Sequence, residues 1–246
     1  MTNNNFTKDQ LDTLLDNTYN FFLDFFADKA QKYKKREFNK FDPNPFTIQA
    51  AATGFSETID AESMAKAIVY PFALGTSLST SFGTKFQEFI VNYVKGKKSI
   101  SGSLIQGMDI EYIDALDGRK KYCQVKSGPN TINKDDIKTI EDHITDIRNL
   151  ANTNHMNVNS NDVVIGILYG NDKKMSNMYK RIKADGYMVL IGSDFWYHLT
   201  GSKDIYEKLI KKAQDAAKEA NFKPSIDEMI KTVKNGILKN KDTFGL

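Results

Sequence analysis

Within residues 107–126 the chain carries two carboxylates, an amide and an ammonium at alternating positions: Asp109 and Glu111, then Gln124 and Lys126. Hydrolysis of a phosphodiester needs groups of these kinds. Oxygen ligands hold a divalent cation, the cation neutralises phosphate and helps ionise water, and a lysine orients the nucleophile or stabilises developing charge. Between the two pairs lies Asp117-Gly118, which reads as a two-residue hairpin turn because glycine accepts the positive φ such turns require. That turn pairs Asp109 with Lys126 and Glu111 with Gln124. Opposed residues, and residues two apart on one strand, share a face. All four polar groups would then cluster, with Ile110, Tyr112, Cys123 and Val125 on the other face. A plain cross-strand ion pair on the wet side of an amphipathic hairpin would leave the same pattern, so the spacing alone admits both readings.

Other residues could touch a nucleic acid. Ser127, Asn130, Thr131 and Asn133 directly follow the hairpin; short polar groups suit phosphates and Asn suits adenine. Equally, residues 127–130 break a strand and Asn133 is a natural N-cap. Ser77, Ser79, Thr80, Ser81 and Thr84 crowd a helix start, where they could bind backbone phosphate or merely cap the helix. Lys29, Lys32, Lys34, Lys35, Arg36 and Lys40 form an early basic run, either phosphate contacts or a solvated helix face. Lys120 and Lys121, beside the turn, are expected in solvent, and Trp196 in a core or an interface. Cys123 is the single cysteine, and His143, His155 and His198 are scattered, so neither an intrachain disulfide nor a zinc-site spacing exists. His143 and His155 are expected on surfaces or helix faces.

The elements that must position these groups follow from periodicity. Leu11, Leu14, Leu15, Phe22 and Phe25 recur at helical spacing over residues 8–35, and the prolines at 43 and 45 end that helix. A second helix is expected over 60–69. A third runs from Gly83, with Phe86, Phe89, Ile90, Tyr93 and Val94 on one face, to a stop at Gly96. The hairpin strands are placed at 108–115 and 122–126. A helix over 134–150, a strand over 163–169, a helix over 174–184 and a strand over 187–191 follow, with closing helices over 203–220 and 225–239. This order implies an α/β fold with a mixed sheet. Residues 1–75 form an N-terminal helical region, 76–200 the core and 201–246 C-terminal helices, packed as one integrated domain. A hydrophobic content of 40% over 246 residues suffices for such a core, while a net charge of +3 is too mild to identify a partner. The opening MTNNNFTKDQLDTLLD has no signal-peptide pattern, and no apolar stretch approaches the ~18 residues of a membrane span. A cytoplasmic location without a membrane partner is expected.

At the hairpin the chain resembles the PD-(D/E)xK nuclease superfamily, with Gly107-Met108-Asp109 and Gln124-Val125-Lys126 as the matching motifs. The runs VYPFALGTSLSTSFGTKFQEFI, GMDIEYID and QVKSGPNTIN, in that order, are further similar to type II restriction endonucleases of the EcoO-type branch, over roughly residues 44–140. The resemblance implies a homodimer cutting double-stranded DNA with Mg²⁺ at a short palindrome with a GGNCC-like core, leaving 5′-phosphate ends. It assigns Asp109 and Gln124 to the metal, Lys126 to the attacking water, and Glu88, on the upstream helix, to an assisting role. The chain departs from the pattern at Gln124, where the family usually has an acid. Gln124 can offer one oxygen without charge; Glu111 or Glu88 would assist, or the site would be impaired. A non-catalytic DNA-binding protein on a nuclease fold is the alternative.

Overall fold

The structure is a computed structural model and describes residues 5–56, 59–94, 100–103, 105–153 and 158–246. Gly96 and His155 lie outside the described residues. The chain divides into two compact units, residues 1–17 with 83–211 and residues 18–82 with 212–246. Helix α1 (Lys8–Lys34) is followed by α2 (Pro45–Phe55), α3 (Ala61–Tyr70), a π-helical segment (Pro71–Ser77) and α4 (Leu78–Val94). Strands β1 (Ile100–Gly102), β2 (Ile110–Ile113) and β3 (Lys120–Lys126) come next, then α5 (Lys134–Thr153), β4 (Val163–Ile167), α6 (Asn177–Ala184) and β5 (Met188–Ile191). The chain closes with α7 (Ser193–Thr200), α8 (Ile205–Ala220), α9 (Lys223–Lys239) and α10 (Lys241–Phe244). Among the described residues, no helix is long and apolar enough to cross a membrane.

Most expected elements are present. Four more, β1, α2, α7 and α10, escaped the periodicity. Helix α2 begins at the segment read as a stop: Asn44 Oδ1 accepts from the amides of Phe46 and Thr47, and Pro45 occupies the first helical position, where its missing N–H costs nothing. Helix α4 starts at Leu78 rather than Gly83. It continues directly from the π-helical segment, and the Leu78 amide already donates to the carbonyls of Ala73 and Gly75. The amides of an open helix start are therefore not offered near Thr80 and Ser81.

The first unit is built on a five-stranded sheet in the order β1-β2-β3-β4-β5. The first three strands pair antiparallel and the last three parallel, so the sheet is mixed as expected. Parallel pairing needs crossovers, which α5 and α6 supply. One sheet face, with Tyr122, Ile165, Ile167, Val189 and Ile191, shares a core with Ile137, Ile140, Ile144 and Ile147 of α5 and with Tyr179 and Ile182 of α6. On the other face Gly166 meets α7: a Cβ there would fall 2.3 Å from the Phe195 ring and 2.9 Å from Cys123 Sγ, so only glycine fits. Trp196, 1% exposed, donates through Nε1 to the Leu168 carbonyl at 2.9 Å.

The hairpin register differs from the expected one by two residues. Ile110 faces Cys123, Glu111 faces Tyr122 and Tyr112 faces Lys121. The loop is longer than a two-residue turn because Asp114 closes it. The Asp114 amide donates to the Arg119 carbonyl at 2.9 Å, and its Oδ1 accepts from the Leu116 amide at 2.8 Å. Its Oδ2 lies 2.7 Å from His198 Nδ1 on α7, while the Ala115 amide donates to the His198 carbonyl. Ala115 therefore leaves the strand, and Gly118 takes the positive φ, +71°. A shift of two preserves which face each side chain occupies. Ile110, Tyr112, Cys123 and Val125 are buried, and Asp109, Glu111, Gln124 and Lys126 are half-buried.

Lys121 is a second correction: it is fully buried, not solvated. Its ammonium donates to Asp117 Oδ2 at 2.6 Å, the Asn161 carbonyl at 3.0 Å and Asp162 Oδ1 at 3.2 Å. Arg119 also pairs with Asp162, through Nε at 2.8 Å and through its terminal nitrogen. The arrangement ties the hairpin to the entry of β4.

The second unit holds a separate core, in which Met64, Ala65 and Val69 of α3 meet Met229, Val233 and Ile237 of α9 and Tyr33 of α1. Asp60 and Ser63 form a reciprocal cap on α3.

The buried network sets an acid limit on stability. Burial raises the Asp162 carboxyl, but bonds from Arg119, the Asn159 amide and Lys121 outweigh it and hold it at about 2. A depressed carboxylate contributes stability that is present above its unfolded value near 3.8 and lost as pH falls through 2. Asp162→Asn should cost about 2 kcal/mol or more in urea unfolding at pH 7. The gap from the natural protein should shrink steadily from pH 4 to pH 2; a gap independent of pH would contradict the network's role.

Candidate active site

The site grows from the end of β2. The regular ladder stops at Asp109, whose amide donates to the Cys123 carbonyl at 2.9 Å, while its carboxylate Oδ2 accepts from the Val125 amide at 2.7 Å. Asp109 thus grips β3 on both sides of Gln124. Its charge is felt underneath: burial, reinforced by the Asp109 carboxylate, pushes the Cys123 thiol well up and keeps it protonated at neutral pH. β3 itself is held rigidly, with Gln124 beside Ile165 and Lys126 beside Ile167 of β4, and the Lys126 carbonyl accepting from the Leu168 amide at 2.9 Å.

Gln124 Oε1 is buried and has no hydrogen-bond partner among the described residues. That is costly for an amide oxygen, about 1–3 kcal/mol. Lys126 makes no ion pair or side-chain hydrogen bond among the described residues, so the plain Asp109–Lys126 pair is not formed. Glu111 faces Tyr122 rather than Gln124, and its carboxylate is engaged by Lys120 Nζ at 2.6 Å and Ser103 Oγ at 2.9 Å. Glu88 is exposed on α4. Five residues earlier on that helix, the Cβ of a residue replacing Gly83 would sit 3.1 Å from Ser127 Oγ, which brings this part of α4 against the segment after β3.

That segment is tightly made. A Cβ at Gly128 would collide with Tyr169 Oη at 2.4 Å, and the Pro129 carbonyl accepts from the Ser176 amide at 3.0 Å. Ser127 is buried. Thr131 Oγ1 donates to the Gly128 carbonyl at 2.8 Å and lies 3.0 Å from Tyr179 Oη. Asn133 caps α5, exchanging bonds with Asp136 at 2.7 and 3.0 Å. Asn130 is exposed, and its side chain makes no hydrogen bond among the described residues. Thr80 and Ser81 belong to the second unit, where Thr80 is exposed and Ser81 Oγ accepts from Lys29 Nζ at 2.7 Å.

Two neighbours were missed from the sequence. His143, expected at a surface, is half-buried, and the Cβ of any residue replacing Gly107 would fall 2.1 Å from its Nδ1. That nitrogen is buried without a hydrogen-bond partner among the described residues. Its place among Ile140, Ile144 and Ile147 on the inner stripe of α5 was the available signal. Tyr169, against Gly128, left none.

A divalent cation fits this donor set. Mg²⁺ keeps several waters and is commonly held by one or two carboxylates together with substrate phosphate. One carboxylate and one unsatisfied amide oxygen meet that demand sparingly. Among the described residues no three His, Cys, Asp or Glu side chains converge to hold a metal more fully.

An acid just ahead of one strand, an amide-x-lysine triplet on the next and a parallel continuation of the sheet are brought together here. A family model for the type II restriction endonuclease EcoO109I matches residues 20–221, and the chain belongs to that family. It is accordingly a restriction endonuclease by descent, a DNA phosphodiester hydrolase of a restriction system. No curated protein matches the chain.

If Gln124 faces a bound cation, an acid in its place should strengthen the binding. Gln124→Glu is expected to bind Mn²⁺ roughly tenfold tighter, ~1.4 kcal/mol, in calorimetric titration of the DNA-free protein. Unchanged or weaker binding would mean that this side chain does not face the cation.

Proposed function

We infer that the chain cuts both strands of DNA at a short palindrome, with Mg²⁺, as a homodimer whose two-fold axis matches that of the site. The observation that carries this reading is the grip of Asp109 on both sides of Gln124, whose buried oxygen lacks a partner. Asp109 and Gln124 hold the cation, with Glu111 and Glu88 as assisting carboxylates. Glu111 must release Lys120 and Ser103 to serve. When bound, the cation neutralises the scissile phosphate and favours ionisation of a water. Lys126, without an ion pair among the described residues and fixed by β3–β4, orients that water by hydrogen bonding and steadies charge on the phosphoryl oxygens. Ser127, Asn130, Thr131 and Asn133, with Thr80 and Ser81 on the second unit, contact DNA; Asn130 is the one of the first four with its amide unengaged. An interrupted, GC-rich target of the GGNCC kind rests on the resemblance in residues 44–140.

A second reading has one observation in its favour, the neutral Gln124 in place of an acid: a DNA-binding protein that no longer cuts. Incubation with plasmid DNA and Mg²⁺ separates the two. Discrete fragments are expected, and sequencing their ends gives the target; binding without cleavage in both Mg²⁺ and Mn²⁺ would overturn the enzymatic reading.

Lys126→Ala should lower cleavage by at least ~100-fold, the scale of losing one positioned charge-stabilising donor. Duplex affinity measured in Ca²⁺ should stay within about threefold, ~0.7 kcal/mol. A parallel loss of affinity would make Lys126 a binding residue instead.

A further inference from the structure

The basic run at the end of α1 surrounds a cleft of about 400 Å³ in the second unit, lined in part by Lys32, Lys35, Arg36, Lys40 and Ser77. A cation-rich last turn is ordinary in a helix, because the macrodipole favours positive charge there. That explanation covers Lys32 and Lys34 but not residues beyond the helix. Arg36 and Lys40 lie past its end and wrap around the same concavity.

Arg36 is built in. Its guanidinium stands over two rings, 4.1 Å from the centre of Phe72 and 4.8 Å from that of Phe41, and donates to the Lys40 carbonyl at 2.6 Å. Holding a guanidinium this way removes in advance much of the side-chain entropy that binding costs. Behind Ser77 lies Lys29, 5% exposed, whose ammonium meets Ser77 O at 2.8 Å, Ser77 Oγ at 3.0 Å and Ser81 Oγ at 2.7 Å.

The cleft's charges are poorly neutralised. Lys32 pairs with Asp28 at 2.8 Å. Among the described residues, Lys35, Arg36 and Lys40 form no ion pair. Glu37, the acid that shares the lining, forms none either. Several like charges around one concavity repel each other until an anion enters. A bare phosphate would fill little of this volume, whereas a phosphate with its flanking sugars suits it.

We propose that this cleft seats one phosphodiester of the double-stranded DNA backbone, with Arg36 as the fixed donor and Lys35 and Lys40 closing over it. The proposal rests on DNA being the substrate, as the family implies, and not on the assignment of the cleaving residues. The contact is blind to sequence and adds affinity and salt dependence.

The test uses the full chain and a short duplex in Ca²⁺ without Mg²⁺, followed by fluorescence anisotropy over a range of KCl. The exposed pair Lys35→Ala/Lys40→Ala should flatten the slope of log affinity against log salt by about one, the loss of one phosphate contact. Glu37→Gln should bind severalfold more tightly, a gain that damage to the fold would not produce. Slopes and affinities equal to those of a DNA-binding natural protein would overturn the cleft's role and leave the nuclease reading standing. No salt-sensitive binding by the natural protein would overturn both. Retained duplex affinity in Lys35→Ala/Lys40→Ala, with loss of a phosphate-induced rise in melting temperature, would assign the cleft to free phosphate and likewise overturn the proposal.

Discussion

The β2–β3 ladder ends at the Ile110–Cys123 pair, and the amide of Val125, beyond it, needs an acceptor. The Asp109 carboxylate takes that place at 2.7 Å, and the Asp109 amide is meanwhile spent on Cys123. A buried amide without a partner is expensive, so this exchange holds the acid where a regular strand would not. The rest of the centre depends on it. Gln124 lies between the two anchor points, and Lys126 lies one strand repeat further on. Both are locked laterally by pairing with β4, whose residues are all buried.

The same geometry accounts for the unusual amide. A second carboxylate at residue 124, half-buried beside Asp109, would face a like charge in the absence of metal, and like charges in one site resist joint ionisation. Glutamine avoids that repulsion. It leaves instead a buried oxygen without a partner, a cost that a bound cation would recover. On the proposed reading, Asp109 and Gln124 would make a centre balanced toward stability of the DNA-free protein and modest metal affinity. Glu111 is engaged by Lys120 and Ser103.

Much of the fold was legible in the sequence because its signals were local. The helix over residues 8–35, the helix expected over 60–69 and the alternation along β3 depend on neighbours in the chain. The face partition of the hairpin was legible too, since it depends only on parity. Its register was not. The loop length is decided by Asp114 meeting His198, 84 residues away. Lys121 is buried for a similar reason, its partners Asn161 and Asp162 lying at the entry of β4. Nothing near Lys121 in the chain distinguishes it from Lys120, which pairs with Glu111 and remains exposed. The helix after Asn44 and the inward stripe around His143 carried local signals that the prolines and the lack of a nearby partner masked.

The central claim is that Asp109 and Gln124 together hold the catalytic cation. Crystals soaked in Mn²⁺, with anomalous scattering recorded at the manganese edge, test it directly. The account predicts an anomalous peak bridging the Asp109 carboxylate and Gln124 Oε1, at about 2.0–2.2 Å from each, near the distances of Mg²⁺–oxygen bonds. A peak held instead by Glu111 or Glu88, with Gln124 Oε1 still without a partner, would contradict it.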